Sequence, residues 1–275
     1  MKRAREALAP GRGGLVARGA VAAYVGVLVL IPLVALIAHG FEPGWRAPWD
    51  AVRTPVAWAA LKLTLLTAAA VAIVNAGMGT ATAWVLVRYP LPGKGLLTAI
   101  VDLPFAIPTL VAGLALVYIF GPEEPFGRWL GTHGVRVLFA RPAIVLALAF
   151  ITLPFVVRAV EPVLRELDPA EEEAATTLGA GPLATFRRVL LPALAPAMIY
   201  GTLQSFARAL AEFGSIVVVS GNIPLRTLTA PVHVFAEVEG GRSAEAAGVS
   251  VVLLALALTI SLGLRLVRGR GERTA

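Results

Sequence analysis

Long apolar runs dominate this chain and leave few choices of fold. Near-uncharged stretches at Gly19–Ala38, Ala59–Val87, Leu96–Phe120, Pro142–Val157, Ala193–Ser220 and Ala244–Leu266 recur along the sequence. A helix of about 20 apolar residues crosses the hydrocarbon core of a bilayer. With 57% hydrophobic and only 15% charged residues, the 275-residue chain is too apolar for a soluble domain. The pattern predicts an all-α polytopic membrane protein with about six transmembrane helices. The first run is longer than the apolar region of a secretory signal and has no clear small-residue cleavage site after it, so it is expected to remain as a helix.

The polar remainder assigns sides. A basic tail covers residues 1–18, spans fill 19–266, and a second basic tail covers 267–275. With six spans both tails share a side. That side carries fifteen Lys and Arg residues, including Arg88, Arg158, Arg165, Arg187 and Arg188, whereas the opposite loops hold seven. The excess of basic residues in cytoplasmic loops then places both termini in the cytoplasm. In this setting the formal charge of +7 reports orientation, and nucleic acid is not an expected partner. Absence of cysteine excludes disulfide and thiolate chemistry, and His39, His133 and His233 have no metal-ligand spacing, so no metal site is expected.

Four ionisable residues fall inside the expected spans: Lys62, Asp102, Arg208 and Glu212. Such residues are expensive in a bilayer and mark candidate functional positions. Arg208 and Glu212, four apart on what is expected to be one helix, either neutralise each other or line a path with Arg208 offering positive potential to an anion. Lys62 lies near the outer end of its span, where its stem can snorkel. Asp102 is expected to pair with a basic residue or to cap a break at Pro104. Pro104 and Pro108 predict a kink or break in the third run, read as a packing kink or a gate-forming bend, with packing preferred. Arg208, Glu212, Ser215, Asp102 and Pro108 are the candidate path and gate residues.

Between the fourth and fifth runs lies a polar stretch, residues 168–192. Asp168-Pro169 is a helix start, and Glu171, Glu172 and Glu173 suit the positive end of the helix dipole. Gly179-Ala180-Gly181-Pro182 ends that helix and starts another. Ala174, Ala175 and Leu178 form a small apolar face beside Gly179. It either packs on its own subunit or presses into a partner's groove. No Walker A spacing surrounds Gly93-Lys94-Gly95, and no HExxH or Gly-x-Ser-x-Gly occurs, so nucleotide hydrolysis, zinc-protease and hydrolase chemistry have no support. The chain is expected not to be an enzyme.

Glu173-Ala174-Ala175, three residues, Gly179, nine residues, then Val189-x-Leu191-Pro192 resembles the EAA loop of permease subunits of binding-protein-dependent ABC importers. The resemblance implies the type I permease fold. It also implies that Glu173, Ala174, Ala175, Leu178, Gly179 and Pro192 belong to a cytoplasmic coupling helix docked on an ATPase subunit dimer. ATP and Mg would be bound there, with no cofactor in this chain. Residues 206–215, FARALAEFGS, with VVVSGNIP at 217–224 and VDLPFAIPT at 101–109 are similar to sulfate/thiosulfate permeases and less closely to molybdate ones. Ala211 departs from the glycine more usual there. By resemblance the partners are a second related permease, the ATPases and an extracytoplasmic sulfate-binding protein, in the inner membrane. The expected function is the translocation path of an ATP-driven sulfate/thiosulfate importer working by alternating access. The alternatives are a molybdate or tungstate permease, and a secondary transporter with Asp102 and Glu212 as relay carboxylates.

Overall fold

A computed structural model describes residues 12–271. Helices account for nearly all of it: α1 Arg12–Phe41, α2 Ala47–Arg53, α3 Pro55–Arg88, α4 Lys94–Ala106, α5 Thr109–Phe120, α6 Pro125–Thr132, α7 Arg141–Glu166, α8 Pro169–Thr177, α9 Pro182–Thr185, α10 Leu191–Leu210, α11 Gly214–Val219, α12 Ala230–Glu239 and α13 Ser243–Gly271. A single π turn, Phe186–Leu190, joins α9 to α10. Among the described residues five helical stretches are long and apolar enough to cross a bilayer, and the bent pair α4–α5 makes six.

The core is the packing of α3, α7 and α10. On α3 the buried positions Ala57, Ala60, Leu61, Thr64, Ala68, Val71, Asn75, Gly79 and Leu86 recur at helical spacing, so one stripe faces inward. Small residues bring the backbones together, as between helices in membranes. A Cβ on Gly79 would meet Val156 Cβ at 2.7 Å, and one on Gly201 would meet Val156 Cα at 2.9 Å, so both neighbouring helices close on Val156 of α7. Hydrogen bonds bolt this core: Asn75 Nδ2 donates to Thr152 Oγ1 at 2.9 Å and to the Ala149 carbonyl at 3.2 Å. Thr64 Oγ1 accepts from the Ala230 N–H at 2.8 Å, which seats α12 on α3.

Several boundaries differ from the sequence expectation. The third run is no single span: α4 and α5 meet at 114°. Its cause is local, since Pro108 offers no N–H and drives Ile107 to the extended region, φ −97°, ψ 143°. The break lies beyond Pro104, which α4 accommodates. The fifth run also stops early. Its helix starts in the polar stretch at Pro182, passes the π turn and ends at Leu210, and the separate α11 follows. Pro192 therefore sits inside a continuous helical run. Its ring crowds the carbonyl four residues back, and the π turn, in which the Leu191 N–H bonds to the Phe186 carbonyl, widens the ladder just before it. The fourth span runs on through Pro154 and Pro162 to Glu166, nine residues past Val157. Helix α1 begins at Arg12, within the expected tail. Residues 1–11 and 272–275 of the expected tails lie outside the described residues.

Candidate functional site

Two places carry most of the sequence-marked residues: the α8 elbow at one end of the bundle, and a crossing of two short helices within it. At the elbow, Asp168 Oδ1 accepts the Ala170 N–H at 3.0 Å, and Pro169 takes the first helical position. The helix ends in a Schellman turn. Gly179 holds φ +82°, its N–H bonds to the Thr176 carbonyl at 2.9 Å, and the Ala180 N–H bonds to the Ala175 carbonyl at 3.0 Å. No residue of α8 is buried. Leu178, 88% exposed, projects beside Gly179 and Glu173, with Ala174 also exposed and Ala175 half-buried. Leu178 is thus an exposed apolar side chain on a turn with polar neighbours.

The elbow is tied back at its opposite face. Arg88, the last residue of α3, places Nε 2.8 Å from Glu172 Oε1, and its Nη2 donates to the Leu167 carbonyl at 3.1 Å. Glu172 therefore anchors the elbow as well as suiting the helix dipole, leaving the Ala174, Leu178 and Gly179 side free.

Inside the bundle, α5 crosses α11 at glycine. A Cβ on Gly113 would lie 2.8 Å from the Ser215 carbonyl oxygen, and one on Gly214 would lie 3.1 Å from the Leu110 nitrogen. Glu212, 2% exposed, sits in the gap between α10 and α11. Its Oε1 accepts the Ser215 N–H and the Ser215 hydroxyl, both at 2.9 Å, so it caps α11. Its Oε2 receives Arg208 Nη2 at 2.8 Å. The pair expected from the i, i+4 spacing thus exists, but the two residues are not on one helix, because α10 ends at Leu210. The buried carboxylate is satisfied on both oxygens, whereas the Arg208 side chain is 31% exposed and has Glu212 as its one partner among the described residues. It can present its remaining N–H donors to an anion.

Asp102 stands apart from that crossing. Both its oxygens receive Arg158 of α7, from Nε at 2.7 Å and from Nη2. Pro108 lies at the break as the cap residue of α5. Lys62 is exposed, with its ammonium 5.6 Å from the Trp58 ring centroid, one turn toward the helix start. Sequence reasoning missed Glu161, 4% exposed on α7, which receives Arg158 at 2.7 Å and Arg165 at 2.6 Å. The spacing Arg158-x-x-Glu161-x-x-x-Arg165 was the available signal. Among the described residues no cluster of His, Asp or Glu could hold a metal ion.

A family model described as binding-protein-dependent transport system inner membrane component matches residues 76–269. The chain is 40% identical over 250 residues to the sulfate transport system permease protein CysT of Salmonella typhimurium, covering 91% of this chain and 90% of that protein. It is 43% identical to the corresponding protein of Synechococcus elongatus, covering 86% and 85%. Among solved structures it is similar in fold to a chain of a bacterial alginate ABC transporter in complex with a pentasaccharide-bound periplasmic protein, with a TM-score of 0.73, 18% identity, and 91% and 92% covered. A chain of the MetNI methionine ABC transporter gives a TM-score of 0.54 at 21% identity, with 78% and 98% covered.

Proposed function

The chain belongs to the inner membrane components of binding-protein-dependent transport systems, and on that premise we propose that it is one permease subunit of an ATP-driven importer of sulfate or thiosulfate. The observation that carries the substrate is the 40% identity to a sulfate permease along nine-tenths of the chain. Membership in an ABC permease family displaces the ion-coupled alternative, and the half-exposed Arg208 guanidinium suits a tetrahedral dianion. Energy reaches this chain as displacement of a two-state element. A partner ATPase dimer binds ATP and Mg and engages Glu173, Ala174, Ala175, Leu178 and Gly179, with Pro192 at the base of the fifth span. A second, related permease completes the path, and an extracytoplasmic binding protein delivers the anion.

In this reading the α8 end of the bundle faces the cytoplasm, in accord with the basic excess on that side, and both tails 1–18 and 267–275 lie there. Residues 19–266 are the permease domain, with the coupling loop at 168–192. Arg208, Glu212 and Ser215 line the path, and Asp102 and Pro108 belong to the gate. The test is uptake of labelled sulfate by proteoliposomes that hold the chain with its co-purifying subunits and binding protein. Nucleotide-dependent uptake competed by thiosulfate is expected. Uptake selective for molybdate, or uptake that survives ATP removal and collapses with uncouplers, overturns it.

A further inference from the structure

A charge string centred on the buried Glu161 links α4 to α7, and its three α7 members have no role in the reading above. Asp102 of α4, then Arg158, Glu161 and Arg165 of α7, alternate in sign and touch in sequence. Arg158 bridges the two helices. Its Nε and Nη2 fork onto the two oxygens of Asp102, and its Nη1 donates to Glu161 at 2.7 Å, so all three guanidinium nitrogens are engaged. A forked contact fixes direction as well as distance, which a lysine cannot do. One turn away, Phe105 packs edge-on against Phe155 with ring centroids 5.0 Å apart, so the same two helices meet again in register.

What this string connects gives it a role. At one end, α7 runs through Arg165 to Glu166 and turns directly into α8, which Arg88 clamps through Leu167 and Glu172. At the other, Asp102 stands one turn before the break at Ile107-Pro108, beyond which α5 carries Gly113 against Ser215. Arg158 is thus the polar link between the helix that leads into the elbow and the helix arm that leads into the crossing.

We propose that Arg158 is a positioning residue for transport: its fork onto Asp102 makes α4 follow α7, so that a shift at α8 moves the break and the crossing beyond it. This rests on the permease reading above. Two alternately packed elements joined by a directed ion pair can pass on a displacement, whereas an apolar contact alone would let them slide.

The test uses the complete transporter, with partner subunits and binding protein, and compares ATP hydrolysed with sulfate imported. R158K keeps the charge and loses the fork. It is expected to assemble normally and to hydrolyse ATP near the wild-type rate while uptake falls about tenfold, the size of a typical coupling energy. D102N is expected to do the same, and D102N with R158K to be no worse than either alone, because both remove the same fork between Arg158 and Asp102. Uptake and hydrolysis that fall together, single effects that add, or failure of R158K to assemble would each mark Arg158 as a structural residue and overturn the proposal. A wild-type complex without ATP-driven uptake would sink the permease reading itself, whereas unchanged coupling in R158K sinks only this one.

Discussion

Gly113 of α5 and Ser215 of α11 meet backbone to backbone: a methyl group on Gly113 would stand 2.8 Å from the Ser215 carbonyl oxygen and 2.9 Å from its Cα. The neighbour is main chain and cannot swing aside. Gly113→Val is therefore expected to cost about 1–3 kcal/mol by overpacking. Gly95→Ala, at a helical glycine with nothing within 4 Å of the added carbon, serves as the control and is expected to be neutral or slightly stabilising. Thermal unfolding in detergent reads the difference. Equal melting temperatures for the two variants would mean that the crossing is looser than described.

Arg208 separates two roles when it is removed with and without its partner. Arg208→Ala leaves Glu212, 2% exposed, with one oxygen short of a donor. Stripping one member of a buried pair costs about 3–5 kcal/mol, reduced here because the arginine is partly solvated. Both stability and sulfate uptake are expected to fall. In the Arg208→Ala, Glu212→Gln double variant the charge imbalance is gone and stability is expected to return, while uptake stays low because the cation offered to the anion is absent. Recovery of uptake with stability would leave Arg208 a purely structural role.

Much of this architecture is legible in the residues because run length and punctuation act locally. The spans follow from apolar runs too long for a soluble fold, and Asp168-Pro169 with Gly179 marks both ends of α8 without tertiary information. The errors have physical causes as well. Arg208 and Glu212 at i, i+4 pair as the spacing suggests, but the helix between them ends because Glu212 turns to cap α11 through Ser215. Arg158 and Arg165 read as loop charges because the apolar run stops at Val157. In the fold α7 continues, since Glu161 neutralises both arginines and Asp102 arrives from a distant helix. The Glu161 pairs follow i, i+3 and i, i+4 spacing and were legible, whereas Asp102, satisfied only by Arg158 of another helix, leaves no periodic trace in its own.

Gly179 tests the elbow. With φ +82° the position favours glycine, and a side chain there costs about 1 kcal/mol of backbone strain although open space surrounds it. Such a loss is too small to unfold the protein. Gly179→Asp adds a charge to a face argued to be covered by the ATPase. Membrane insertion is expected to be unchanged, and ATPase co-purification and sulfate uptake to be lost. Gly179→Ala, with the strain but no charge, is expected to keep most of both. A Gly179→Asp variant that still captures the ATPase and transports would remove α8 from the coupling role.

The opposite end of the bundle carries a pH dependence of its own. His233 on α12, outside the apolar spans, is buried, and that burial holds its pKa below the ordinary 6.5, opposed by the Glu237 carboxylate and assisted by the Arg242 guanidinium. Glu237 is held below its ordinary 4.5, chiefly by its hydrogen bond from Arg242. In both cases the unfolded chain binds the proton more readily than the folded one, so stability rises with pH. The His233 contribution is complete above about 6.5 and is lost as pH falls toward its lower folded value; the Glu237 contribution is lost only below about 4.5. Melting temperature is expected to decline from pH 7 to pH 5, a window in which Glu237 is silent and His233 titrates. His233→Gln, which cannot take up a proton, is expected to flatten that decline while keeping the fall below pH 4.5. A wild-type profile flat between pH 7 and pH 5, or one unaltered in His233→Gln, would show that this imidazole is already free to charge in the fold.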